Sequence, residues 1–187
     1  AKAPEAPAVS GYEFDKWELY CKGLYEYDQY IKNLYTYFDI KGFSPRVNNT
    51  LVRLNIDKIY VPLKFKFDFS NNADDNLPKD KRTSYDIITA LTNFDKIVIL
   101  GDPGSGKSTT LKYLAYTICA HRSGNELLQT YIPIYLKATE FARYLFDTGR
   151  SLSEFIIDIN TKYGLLFSKS LENSKLIVLI DGLDEIN

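Results

Sequence analysis

Residues 101–108, Gly101-Asp102-Pro103-Gly104-Ser105-Gly106-Lys107-Ser108, fit the pattern G-x-x-x-x-G-K-[ST]. Each residue type in it has a task in holding phosphate. The glycines let the backbone close tightly around an anion, with several N–H groups turned inward. A helix starting just after them adds the partial positive charge of its N-terminus to the same spot. Lys107 would reach the β- and γ-phosphates of a nucleotide, and the Ser108 hydroxyl would ligate Mg²⁺. The candidate nucleotide-binding residues are therefore Asp102, Pro103, Gly104, Ser105, Gly106, Lys107, Ser108 and Thr109. The plain alternative is a glycine-rich turn that fits by chance. Its surroundings argue against that. The apolar run Ile97-Val98-Ile99-Leu100 precedes it, and Leu111, Leu114, Ala115, Ile118 and Cys119 follow at helical spacing. This is the strand–loop–helix setting that the motif requires.

A second acidic feature completes the chemistry. The run Leu176-Ile177-Val178-Leu179-Ile180 closes on Asp181-Gly182-Leu183-Asp184-Glu185. A continuous apolar run ending in an acid reads as a strand buried on both faces of a parallel sheet. Asp181 then stands at the strand's carboxyl end, where open α/β sheets hold their ligands. With Ser108 it is the candidate metal ligand. Glu185 is the first candidate for the group that orients or deprotonates an attacking water, and Asp184 the second. With Lys107 they form the candidate catalytic set. An ordinary solvated strand end is the competing reading of these acids, weakened by the phosphate loop in the same chain. A GTPase would carry Gly where Asp184 stands, and would have N-K-x-D further on. Neither is present, so ATP and ADP are favoured over GTP.

The elements that must position these residues follow from periodicity. Residues 12–38 predict a helix, with Trp17, Tyr20, Leu24, Tyr27, Ile31, Leu34 and Phe38 as a packing stripe. Gly42 and Pro45 would end it. Residues 59–63 predict a short edge strand, because Pro62 cannot donate to a ladder. Residues 66–82 are polar and predict a mobile loop. A short helix over 84–95 leads to the first core strand at 97–100, and residues 131–136 form a second. Ser151 and Glu154 are spaced as a capping box opening a helix with Phe155, Ile156 and Ile159 inside. Residues 168–174 bridge to the third strand at 176–180. Strands alternating with helices predict a parallel sheet with right-handed crossovers. The expected fold is α/β, a P-loop NTPase of three layers (α/β/α) with a mostly parallel sheet, preceded by an N-terminal helical segment. Residues 1–11 read as a Pro/Ala linker, 12–83 as the helical segment and 84–187 as the nucleotide-binding domain.

Composition narrows the class. The 187 residues carry a net charge of −1, which gives no direct nucleic-acid or membrane signal. No apolar run approaches a membrane-spanning length, and the N-terminus has no signal-peptide core. Cys21 and Cys119 read as free thiols of a reducing cytosol, so a cytoplasmic protein is expected. Asn48-Asn49-Thr50 is a formal glycosylation sequon with no role in that setting. His121, the single histidine, has no ligand-type neighbours in sequence and receives no role. The absence of methionine, even at position 1, reads as a piece of a longer protein.

Together these pieces resemble a NACHT domain, a branch of the STAND class of signalling NTPases. The resemblance rests on the loop through Thr109, on Asp181-Gly182-Leu183-Asp184-Glu185, on residues 59–63, similar to the family's pre-loop strand, and on Ile132-Pro133-Ile134-Tyr135-Leu136, similar to its second strand. It runs from about residue 16 to the end. It implies ATP/ADP binding with Mg²⁺, slow hydrolysis, and a switch between a closed resting state and an open oligomer through self-association of the full-length protein. It further implies a role in innate immunity or antiphage defence, with trigger and effector unknown. Residues Tyr60, Val61 and Pro62 are implied near the base. Sheet order 5-1-4-3-2 is also implied. The phosphate-loop strand and the Asp181 strand would then be separated by a fourth strand beyond residue 187, and the 187 residues alone would be marginal, aggregation-prone and poorly hydrolytic. Two further readings share both motifs: a mechanical AAA+-like ATPase, and a non-hydrolysing scaffold stapled by bound nucleotide.

Overall fold

The computed structural model describes residues 11–38, 46–47, 50–51, 54–63, 65–66, 84–85, 87–120 and 130–186. Helix α1 spans Gly11–Tyr35. Four two-residue strands follow: β1 (Tyr37–Phe38), β2 (Arg46–Val47), β3 (Thr50–Leu51) and β4 (Leu54–Asn55). They pair antiparallel as β1 with β4 and β2 with β3. Then come α2 (Ile56–Ile59), the antiparallel pair β5 (Phe65–Lys66) and β6 (Ser84–Tyr85), α3 (Ile87–Asn93) and α4 (Lys107–Ala120). The last third runs β7 (Ile132–Lys137), α5 (Ala138–Thr148), α6 (Leu152–Asp158), α7 (Gly164–Glu172) and β8 (Leu176–Asp181).

The chain is thus a mixed helix–strand fold in which, among the described residues, the parallel pair β7–β8 has the longest strands. Register aligns Ile132 with Leu176 and Lys137 with Asp181. Both strands are β-branched and apolar, as a sheet covered by helices demands. Helix α4 packs on both strands, and α7 packs on β8. Leu114 and Ile118 of α4, Ile132 and Leu136 of β7, and Phe167 of α7 are almost wholly buried. Each such side chain stabilises the fold by roughly 1.5–3 kcal/mol relative to exposure.

Helix α1 joins this same core. Tyr27 and Ile31 are buried, with Tyr20, Leu24 and Tyr35 packed beside them. The stripe therefore steps through Tyr35, and the expected Leu34 is 49% exposed. Tyr27 meets Tyr163 and Phe167 edge-on, at centroid distances of 5.1 and 5.2 Å. Its hydroxyl donates to the Pro133 carbonyl of β7 at 2.8 Å. A helix ending at Tyr35 corrects the expected end at residue 38. Residues 37 and 38 instead ladder with β4, and the Ile56 N–H is received by the Thr36 carbonyl at 2.8 Å.

Further expectations are corrected. Residues 59–63 are not a strand. The Asn55 side chain accepts from the Asp57 N–H and opens the single helical turn α2, and residues 60–63 pair with no strand among the described residues. Residues 97–100 likewise belong to no ladder among the described residues. Residues 168–172 are not a bridge but the second half of α7, held by the burial of Leu166, Phe167 and Ser170. Its end is a Schellman turn. Ser174 adopts φ 54°, the Lys175 N–H reaches the Ser170 carbonyl, and the Ser174 N–H reaches that of Leu171. The capping box is present as expected: Glu154 N–H donates to Ser151 Oγ at 3.3 Å, and Ser151 N–H to Glu154 Oε2 at 2.8 Å. Phe155 and Ile156 are buried beneath it, but the helix stops at Asp158, and Ile159, expected inside it, is the exposed C-cap residue. The expected polar loop begins at Lys66, which instead pairs with Ser84 in the β5–β6 ladder; residues 67–82, Gly42, Pro45 and His121 lie outside the described residues. No helix among the described residues is long and apolar enough to cross a membrane.

Candidate nucleotide and metal site

Residues 101–106 form an open turn ahead of α4. Gly104 (φ 78°) and Gly106 (φ 89°) both sit in the left-handed region, where a side chain would be strained. A Cβ on Gly101 would come within 2.8 Å of Ser105 Oγ, a contact that rotation of the serine hydroxyl group could relieve. The Ser105 N–H closes the turn on the Asp102 carbonyl at 3.1 Å. Gly101, Asp102, Pro103, Gly104 and Ser105 are exposed.

Lys107 is the first residue of α4, and its half-buried side chain folds back over the turn. Its Nζ donates to the carbonyls of Gly101 at 2.6 Å and Asp102 at 3.1 Å. The ammonium therefore sits inside the loop's own curve. Thr109 is half-buried, and Thr110 is fully buried with the Tyr60 hydroxyl donating to its Oγ1 at 3.4 Å. The Thr110 N–H makes the first full helical bond, to the Gly106 carbonyl at 2.8 Å.

The second half of the site arrives with β8. The Ser108 hydroxyl donates to Asp181 Oδ1 at 2.8 Å. The other carboxylate oxygen, Oδ2, accepts from the Tyr135 hydroxyl at 2.6 Å. Burial, reinforced by that hydrogen bond, pushes the Tyr135 phenol well above its ordinary value, so it stays a donor throughout the neutral range. Gly182 follows at φ 74°, and the chain turns through a 3₁₀ segment, Leu183–Glu185. The Glu185 carboxylate lies back over Gly182, where a Cβ would approach its Oε2 at 3.0 Å. Glu185 thus folds toward the end of the Asp181 strand. Asp184 is exposed on the same turn.

Residues 60–63 complete the surroundings. The Tyr60 ring stacks on Tyr113 of α4, centroids 3.7 Å apart and planes within 13°. Leu63 lies beside Gly106, its Cδ1 3.7 Å from where a Cβ would be. Val61 is 74% exposed. The segment therefore runs past the loop even though it is not a strand. Below it, Tyr116 of α4 donates to Asp57 Oδ2 at 2.8 Å and ties α2 to the loop's helix.

The donor set suits a hard divalent cation. Ser108 Oγ and Asp181 Oδ1 are both oxygen and lie one hydrogen bond apart. Among the described residues no three His, Cys, Asp or Glu side chains converge as a metal cage. A site with one carboxylate and one hydroxyl fits Mg²⁺, which keeps waters and phosphate oxygens as its other ligands. Of the residues singled out in the sequence, the structure folds Lys107 onto the glycine turn and brings Ser108 to Asp181. Sequence reasoning missed Tyr135. That residue pairs with Leu179, two positions before the Lys137–Asp181 pair, so its side chain shares a sheet face with Asp181. Only the register reveals this. Comparison of the chain with protein-family models, curated proteins and solved structures finds no match.

Proposed function

We propose that this chain is the nucleotide-binding part of a NACHT-type NTPase with a three-layer P-loop domain. It would hold ATP or ADP with Mg²⁺ and act as a nucleotide-controlled signalling switch that self-associates, in innate-immune or antiphage defence. One observation carries the reading. Ser108 and Asp181, 73 residues apart, meet at 2.8 Å beside a lysine curled into a glycine turn. A chance turn has no reason to meet the acidic end of a buried strand.

Each side chain then has a task. Lys107 exchanges the Gly101 and Asp102 carbonyls for phosphate oxygens. Ser108 and Asp181 hold the cation, which when bound would neutralise charge developing on the phosphates. Glu185, folded toward the strand end, orients or deprotonates the attacking water, with Asp184 the second candidate. The Tyr60–Tyr113 stack and the exposed Val61 offer an apolar shoulder for the base.

The test is isothermal titration of the chain with ATP and ADP, with and without Mg²⁺, beside Lys107→Ala. We expect micromolar, Mg²⁺-sensitive binding. In the variant, affinity should fall by roughly a hundredfold, about 3 kcal/mol, because charge-assisted bonds to phosphate are lost. Equal affinity in the two proteins would sink the assignment.

A further inference from the structure

We infer that Tyr135 is a positioning residue for the metal carboxylate: its hydroxyl fixes Asp181 so that only Oδ1 is presented to Ser108 and to the cation. The inference rests on the nucleotide reading above and adds a residue to it. A carboxylate has two oxygens and free rotation about its terminal torsion. At Asp181 the two are distinguished. Oδ2 is taken by the Tyr135 hydroxyl at 2.6 Å, and Oδ1 by Ser108 at 2.8 Å. With Oδ2 engaged, ligation through both oxygens is disfavoured and a single ligand is aimed at the loop. That suits a small octahedral ion better than a larger one that accepts bidentate carboxylates.

The tyrosine is itself held in place. Tyr35 of α1 meets its ring edge-on, centroids 5.8 Å apart, and Lys112 Nζ of α4 lies 5.7 Å from the ring centroid. A cavity of about 90 Å³ lies alongside, lined in part by Tyr35, Ile134 and Tyr135. The ring is thus gripped by the N-terminal helix and by the loop's own helix. Partners of this kind orient metal ligands, and losing one typically weakens metal affinity 10- to 100-fold.

The experiment uses the whole chain and a fluorescent ADP analogue as probe. Probe affinity is measured in EDTA and across a Mg²⁺ titration for the parent, Tyr135→Phe and Lys107→Ala. The phenylalanine keeps the ring packing and removes only the hydroxyl. We expect unchanged affinity in EDTA and about a tenfold higher Mg²⁺ concentration for half-maximal effect. An unchanged Mg²⁺ requirement overturns the inference. A loss in EDTA as large as that in Mg²⁺ also overturns it, since the tyrosine would then be a general structural support. Failure of the nucleotide reading looks different: the parent itself would show no binding that depends on Lys107, and both proposals would fall together.

Discussion

Residues 97–100 and β8 each lead an apolar run into a polar turn of the candidate site, but among the described residues only β8 has a ladder partner. From Leu176 to Ile180 every side chain is buried or half-buried. In 97–100 burial alternates: Ile99 packs on the core, while Val98 is 72% and Leu100 87% exposed. The side chains are of one kind, so the neighbours make the difference. A backbone with a ladder partner and helices on it can hide an apolar run; one without a partner can hide every other residue. The two halves of the site therefore rest on unequal supports. Asp181 hangs on a hydrogen-bonded strand. The glycine turn hangs on Ile99 and on the first turn of α4.

Perturbing the two runs separately sharpens the contrast. Leu179→Ala, deep in β8, should cost about 2–5 kcal/mol in urea unfolding through lost transfer and a new cavity. A smaller, intermediate effect is expected from pH on the loop's side of the molecule. Burial, with the bond to Asp57, pushes the Tyr116 phenol up to about 12. A phenol raised on folding stabilises fully below its unfolded pKa of about 10. That contribution is lost as pH rises from about 10 through 12. Thermal melts should fall across this window in the parent and fall less in Tyr116→Phe; parallel profiles would remove Tyr116 from the support of α4. Least of all should come from Leu100→Ala, within about 0.5 kcal/mol, because an exposed side chain has little to lose. If Leu100→Ala destabilised as much as Leu179→Ala, residues 97–100 would be covered in solution and the contrast would collapse.

What the sequence made legible was whatever rests on local rules. The helix after Lys107, the strands at β7 and β8, and the Ser151–Glu154 box all follow from periodicity or short-range hydrogen bonding, and they stand where expected. The failures are places where tertiary neighbours decide. Residues 59–63 have strand-like side chains, but Asn55 caps a helical turn just before them and Pro62 supplies no N–H. The end of α7 was hidden because Ser174, not the usual glycine, takes the left-handed position. Within the site, Lys107, Ser108 and Asp181 announce themselves by residue type and spacing. Tyr135 does not: a tyrosine in an apolar strand looks like packing until the register brings its hydroxyl to a carboxylate.

The bond from Tyr27 to the Pro133 carbonyl has a directional consequence. Pro133 has no N–H to offer, and one of its carbonyl's two lone pairs is already taken by a helix. At that point β7 offers an incoming strand, from this chain or another copy, neither an N–H nor an unengaged carbonyl. The parallel pair is therefore blunted at Pro133, where one border of β7 is a poor template for a further strand.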